Sequence, residues 1–200
     1  MARDQVGEAF RTFLAFPLAD LFFSEFKNVI ERLGKKAEGV KWVIPEQVHI
    51  TLHFFGEIRS EQLQLIESIL TPVAQSCEPI KVGLEGIGFF PNSAKPRVIW
   101  IGLFGDVDDL AKLQQEIERS LKSNGFPIEG RPFRAHATIG RIKFMNEKSR
   151  DLLNDAQYLE SSLRKTDCRI MDHIVLYKSV LTPKGPQYES IKTFALSKKP

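Results

Sequence analysis

Two segments of the chain open with the same chemistry. His49-Ile50-Thr51-Leu52 and His136-Ala137-Thr138-Ile139 each set a histidine two residues before a threonine, with apolar residues in between and after. In an extended strand, residues two apart project from one face. Each histidine therefore shares a face with its threonine, while Ile50, Leu52 and Phe54, or Ala137 and Ile139, face a core. Imidazole titrates near neutrality, so two of them across a phosphate can divide the proton work. The neutral ring takes a proton from water and the protonated ring gives one to the leaving oxygen. The threonine hydroxyls can donate hydrogen bonds to non-bridging oxygens as charge shifts in the transition state. A metal site is the weaker reading, because neither histidine has a cysteine or carboxylate partner at ligand spacing.

The elements that must hold these residues follow from periodicity and breakers. Arg11 to Phe16 reads as a strand, and Asp20 to Leu33 as a helix ended by Gly34. Lys41 to Ile44 is a short extended segment before the first His-Thr strand. Ser60 is placed to cap a helix carrying Leu63, Ile66 and Leu70, and Pro79 to Phe90 is the next strand. The order then repeats: strand Arg97 to Leu103, a helix capped by Asp106 with Leu110, Leu113, Ile117 and Leu121, a break at Asn124-Gly125, and the second His-Thr strand. A helix from Asn146 to about Leu163, a strand from Arg169 to Ser179, a Pro183 to Pro186 turn and a strand from Gln187 to Leu196 complete the pattern. Arg11 and Arg97, His49 and His136, and Ser60 and Asn146 are offset by 86 or 87 residues. The expectation is a single domain over 1–200 built from two related units, roughly 11–90 and 97–179. Its class is α+β and bilobal: two pseudo-symmetric lobes, with mixed or antiparallel sheets flanked by helices around a central cleft.

Composition narrows the function classes. With 200 residues, 42% of them hydrophobic, the chain can bury a core, and a net charge of +3 suits an anionic ligand better than a nucleic-acid coat. No apolar run approaches the roughly 18 to 20 residues of a membrane span, and Met1 to Gln5 carries no charged-then-apolar signal pattern. Cys77 and Cys168 are too few for a disulfide scaffold and lack zinc spacing. The expectation is a cytoplasmic monomer with reduced thiols and no membrane partner.

His49-Ile50-Thr51-Leu52 and His136-Ala137-Thr138-Ile139 resemble the paired signatures of the two-histidine phosphoesterases, and the closest branch is the LigT-like RNA 2′,3′-cyclic phosphodiesterases, historically called 2′-5′ RNA ligases. Phe13-Leu14-Ala15, Trp42-Val43 through Gly56-Glu57, Arg131-Pro132-Phe133, and Leu176 to Ser179 with Gly185 and Tyr188 extend the resemblance over most of the chain. It implies a bilobal fold around a basic cleft that opens terminal cyclic phosphates on RNA to 2′-phosphates, with no metal or other cofactor. One histidine then activates water and the other protonates the leaving 3′ oxygen; the expected assignment is His136 as base and His49 as acid, with the roles reversed for the reverse, ligation-like reaction. The partners it implies are RNA ends or small cyclic nucleotides. Rival readings are action on another cyclic or 2′-linked nucleotide, including reversible 2′-5′ ligation, and a non-catalytic RNA-binding module.

The resemblance also gives Arg141, five residues after His136, a place on the phosphate. Strict alternation points Arg141 away from His136, so the strand must bend near Gly140. By parity His53 and Phe55 continue the His49-Thr51 face. His53 is then a phosphate contact or a rim residue. Phe55 and Phe133 are candidates to stack a base, and Arg131, Arg134 and Lys143 to follow an RNA backbone. His173 lies in an apolar strand and reads as structural.

Overall fold

The computed structural model describes residues 8–34, 38–146, 156, 166–183 and 185–197. Among these described residues nine strands and three α-helices of more than one residue follow in order: β1 (Ala9–Pro17), α1 (Ala19–Gly34), β2 (Val40–Trp42), β3 (His49–Arg59), α2 (Gln62–Gln75), β4 (Ile80–Phe90), β5 (Val98–Gly105), α3 (Val107–Ser123), β6 (His136–Ile142), β7 (Arg169–Met171), β8 (His173–Thr182) and β9 (Gly185–Ala195). The helix expected from Asn146 falls largely outside the described residues. The strands form two sheets, ordered β3-β1-β8-β9 and β2-β6-β5-β4-β7. Every pairing is antiparallel. The fold is α+β, as its alternation of strand and helix periods implies.

Each histidine strand pairs with the strand that opens its own half of the chain, β3 with β1 and β6 with β5. The strand closing each half crosses over. β4 joins the second sheet beside β5, and β8 joins the first beside β1. A strand exchanged in each direction ties both sheets to one apolar core, in which Phe16, Phe22, Phe26, Ile50, Leu84 and Ile99 are among the fully buried side chains. The helices turn apolar stripes inward, as Ile66, Ile69, Leu70 and Val73 do on α2 and Leu110, Leu113, Ile117 and Leu121 do on α3.

Three local readings change. The strand expected at Arg169 to Ser179 is two strands, because the chain leaves the second sheet at Asp172 and enters the first. Ser60 does not cap α2 with its side chain; Gln62 instead reaches back with its amide oxygen to the Arg59 N–H at 3.0 Å. Asp106 is the N-cap residue of α3 but makes no side-chain capping bond; its carboxylate instead accepts from the Lys81 N–H at 3.1 Å, tying that helix start to β4.

Candidate active site

The two sheets enclose a cleft of about 1010 Å³, lined on one side by His49, Thr51 and Phe54 and on the other by His136, Thr138 and Arg141. Sequence separation brings nothing together here; the shared core does. A short 3-10 turn at Pro45–Gln47 leads into β3. That turn leaves the Gln47 carbonyl directed back at the ring, and His49 Nδ1–H donates to it at 2.7 Å. His136 repeats the device with Arg134, whose carbonyl accepts from Nδ1–H at 2.6 Å. Donating at Nδ1 fixes the tautomer, so in each neutral ring Nε2 is the nitrogen with a free lone pair.

Aromatic side chains fix the ring planes. His49 lies against Phe13, with centroids 5.0 Å apart, and meets the edge of Tyr188 at 5.4 Å. His136 stands edge-on to Phe90 at 5.0 Å and near Trp100 at 6.3 Å. Trp100 in turn lies over Gly88, where any β-carbon would collide with the indole. Burial lowers the His49 pKa to about 4, with the positive charges of Arg141 and of a protonated His136 adding to the shift. Burial also lowers the pKa of His136, again with help from Arg141. Both rings are therefore neutral near pH 7 in the free protein. The Tyr188 phenol is pushed up by burial, an effect Arg141 opposes.

Arg141 faces the cleft because β6 carries a bulge. The pairing with β5 runs Trp100 to Thr138 and then Ile99 to Gly140, passing over Ile139. The extra residue reverses the parity and turns Arg141 onto the histidine face. The same device on β3 overturns the expectation for His53. Leu14 pairs with His53 and Ala15 with Thr51, so the bulge at Leu52 turns His53 into the core, where it is 3% exposed. Gln114 of α3 donates to the Leu52 carbonyl at 3.3 Å, the acceptor that the bulge displaces. Phe55 packs against His53 and Phe126 and is 7% exposed, with its remaining surface in the cleft lining. Phe54, expected in the core, is instead 50% exposed on the cleft wall.

The remaining expected contacts lie outside the cleft lining. Arg131 and Arg134 are exposed, and Arg134 serves the site through its backbone carbonyl alone. Phe133 packs against the core, and Lys143 is exposed. His173 donates from Nδ1 to Asp172 at 2.6 Å, away from the cleft. The cleft also contains side chains that pattern reading passed over: Arg11, Lys41, Tyr188 and Gln187. Arg11 and Tyr188 had a readable signal, since both fall within segments of the family resemblance or its repeat.

Two sheets that each present a backbone-tethered histidine and a threonine to one cleft define a two-histidine phosphoesterase. The chain belongs to the LigT-like phosphoesterase family, whose model matches residues 22–100 and again 105–188. A protein of Archaeoglobus fulgidus named RNA 2′,3′-cyclic phosphodiesterase is 36% identical over 184 residues, covering 92% of this chain and 99% of its own. One of the same name from Methanocaldococcus jannaschii is 38% identical over 182 residues, covering 91% and 98%. Among solved structures, E. coli LigT complexed with 3′-AMP superposes with a TM-score of 0.71 at 20% identity, covering 94% of this chain and 99% of that one.

Among the described residues, no group of three or more metal-ligating side chains is present, and no helix is long and apolar enough to cross a membrane. Cys77 and Cys168 are free thiols.

Proposed function

We propose that the chain hydrolyses the 2′,3′-cyclic phosphate at an RNA end to a 2′-phosphate, with His136 as base and His49 as acid. The observation that carries the reading is the matched Nδ1 tethers on His49 and His136, which leave both Nε2 atoms for proton transfer within reach of the Arg141 charge. Water attacks phosphorus and gives its proton to His136 Nε2. The bond to O3′ breaks as His49 Nε2–H protonates that oxygen. Thr51, Thr138 and Arg141 hold the non-bridging oxygens as the charge on them rises. Phe54 stacks the terminal base, an aromatic face that accepts any of the four. The mechanism assigns no step to a metal or cofactor.

An acid must carry its proton beforehand, and His49 is neutral in the free protein. The phosphate monoanion supplies what is missing: it offsets Arg141 and raises the affinity of the nearby rings for a proton. The pKa of about 4 at His49 favours a second reading, in which the two rings exchange roles. The relatives' shared name, RNA 2′,3′-cyclic phosphodiesterase, supports the substrate.

The test is an RNA oligonucleotide ending in a 2′,3′-cyclic phosphate, followed by phosphorus NMR in excess chelator. A 2′-phosphomonoester is the expected product. No product between pH 5 and 9, with the oligonucleotide still bound, sinks the enzymatic reading in favour of a binding module.

A further inference from the structure

Hydrolysis at one phosphate accounts for Arg141 but not for its neighbour. Lys41 on β2 is the direct cross-strand partner of Arg141 on β6, and both side chains line the cleft. Like charges placed opposite one another on antiparallel strands repel. Neither has a carboxylate within ion-pair distance among the described residues, and the acidic side chain in the cleft lining is Glu129. The lysine is also seated. Its Nζ packs on Gly185 at the turn between β8 and β9, in the opposite sheet, where a β-carbon would stand 3.3 Å from the ammonium. Gly185 has φ of +136°, a backbone conformation that favours glycine, and the missing side chain leaves room for the lysine tip beside it.

Two cations fixed about 5 Å apart at Cβ suit two phosphates better than one. A guanidinium grips the reacting group through its fork, and an ammonium serves as a point charge for a second anion. A terminal nucleotide with a 2′,3′-cyclic phosphate carries any further phosphate of its own on O5′. We propose that Lys41 forms a second phosphate subsite that takes the phosphate on O5′ of the terminal nucleoside. That phosphate is either the diester to the preceding nucleotide of an RNA or the 5′-phosphate of a mononucleotide. The inference rests on the cyclic phosphodiesterase reading. It makes the enzyme select a chain end over a free cyclic nucleoside.

The experiment compares kcat/KM for adenosine 2′,3′-cyclic phosphate, its 5′-phosphorylated form, and the dinucleotide ApA with a terminal 2′,3′-cyclic phosphate. The wild-type chain is expected to favour the second and third by roughly tenfold, the scale of one charge-assisted contact. Lys41→Ala brings that ratio near one, whatever loss the substrates share, and Lys41→Arg retains it. Preference for the dinucleotide alone assigns the subsite to a chain diester; equal preference assigns it to any O5′ phosphate. A binding arm needs no turnover: by calorimetry, adenosine 2′,5′-bisphosphate binds the wild type more tightly than 2′-AMP, and Lys41→Ala removes the difference. No preference in the wild type overturns the subsite, as does a preference that survives Lys41→Ala but is lost in Arg11→Ala. Failure to hydrolyse any of the three overturns the activity itself, while the calorimetric comparison still judges the subsite.

Discussion

His49 and His136 stand on different sheets, yet each donates its Nδ1 proton to the carbonyl two residues before it, at 2.7 Å to Gln47 and 2.6 Å to Arg134. The shared tether makes the two rings equivalent in tautomer and leaves their roles to the surroundings. Replacing either with alanine is expected to lower turnover on the order of a hundred-fold or more, the usual loss on removing a general acid or base. Both variants should retain the wild-type circular dichroism spectrum and melting temperature. Near-normal turnover in either one defeats the paired-histidine mechanism.

Which ring donates can be read from the leaving group. A cyclic substrate with sulfur in place of the 3′ bridging oxygen departs as a thiolate and needs no proton. His49→Ala should recover most of its lost rate on that substrate, and His136→Ala should not. The opposite pattern assigns the acid to His136, as the low pKa of His49 alone would have it.

Arg141 adds to the burial that keeps both rings neutral, as well as facing the phosphate. Arg141→Met removes the positive charge, so both histidine pKa values should rise toward the ordinary value near 6.5. Arg141→Lys keeps the charge and should leave them low, while losing the bidentate grip. Proton NMR titration of the ring signals distinguishes the two. Unchanged pKa values in Arg141→Met would mean that burial alone holds the histidines neutral.

The order of strands and helices could be read almost directly, because hydrophobic period, Gly34 and Asn124-Gly125 mark the turns without reference to distant contacts. The histidine pair was legible for the same reason: His49 and Thr51, like His136 and Thr138, sit before any bulge. Past Leu52 and Ile139 parity fails, because an inserted residue is invisible in a single strand and appears only in its pairing with a neighbour. That is why His53 and Phe54 exchanged places, and why Lys41 drew no notice: its significance lies in standing opposite Arg141, one hundred residues away.

The buried His53 should make the fold sensitive to acid. Desolvation lowers its pKa to about 4, and its Nε2 has no hydrogen-bond partner. As pH falls from about 6.5 toward 4 the unfolded chain takes up the proton first. Stability is thus full above pH 6.5 and is lost through that window, on the order of 2 kcal/mol by pH 5. His53→Leu removes this share, so urea melts should show it gaining on the wild type at pH 5 relative to pH 8. An identical stability difference at both values would mean that His53 is not a neutral core residue. His49 retains its own acid sensitivity in both proteins.

Phe54 and Phe55 are neighbours with opposite duties, and two alanine substitutions separate them. Phe54 is half exposed on the cleft wall, 6.1 Å between centroids from Phe13, which itself packs on His49. Stacking on an aromatic ring contributes about 1–3 kcal/mol per base, so Phe54→Ala should lower kcat/KM by roughly 5- to 150-fold with little change in melting temperature. The loss should vanish on an abasic ribose 2′,3′-cyclic phosphate, which offers nothing to stack. Phe55 is buried between His53 and Phe126. Phe55→Ala should therefore destabilise the fold by about 3–5 kcal/mol and leave kcat/KM of the folded fraction nearly intact. If Phe54→Ala slows the base-bearing and abasic substrates alike, the ring holds the strand in shape and the base binds elsewhere.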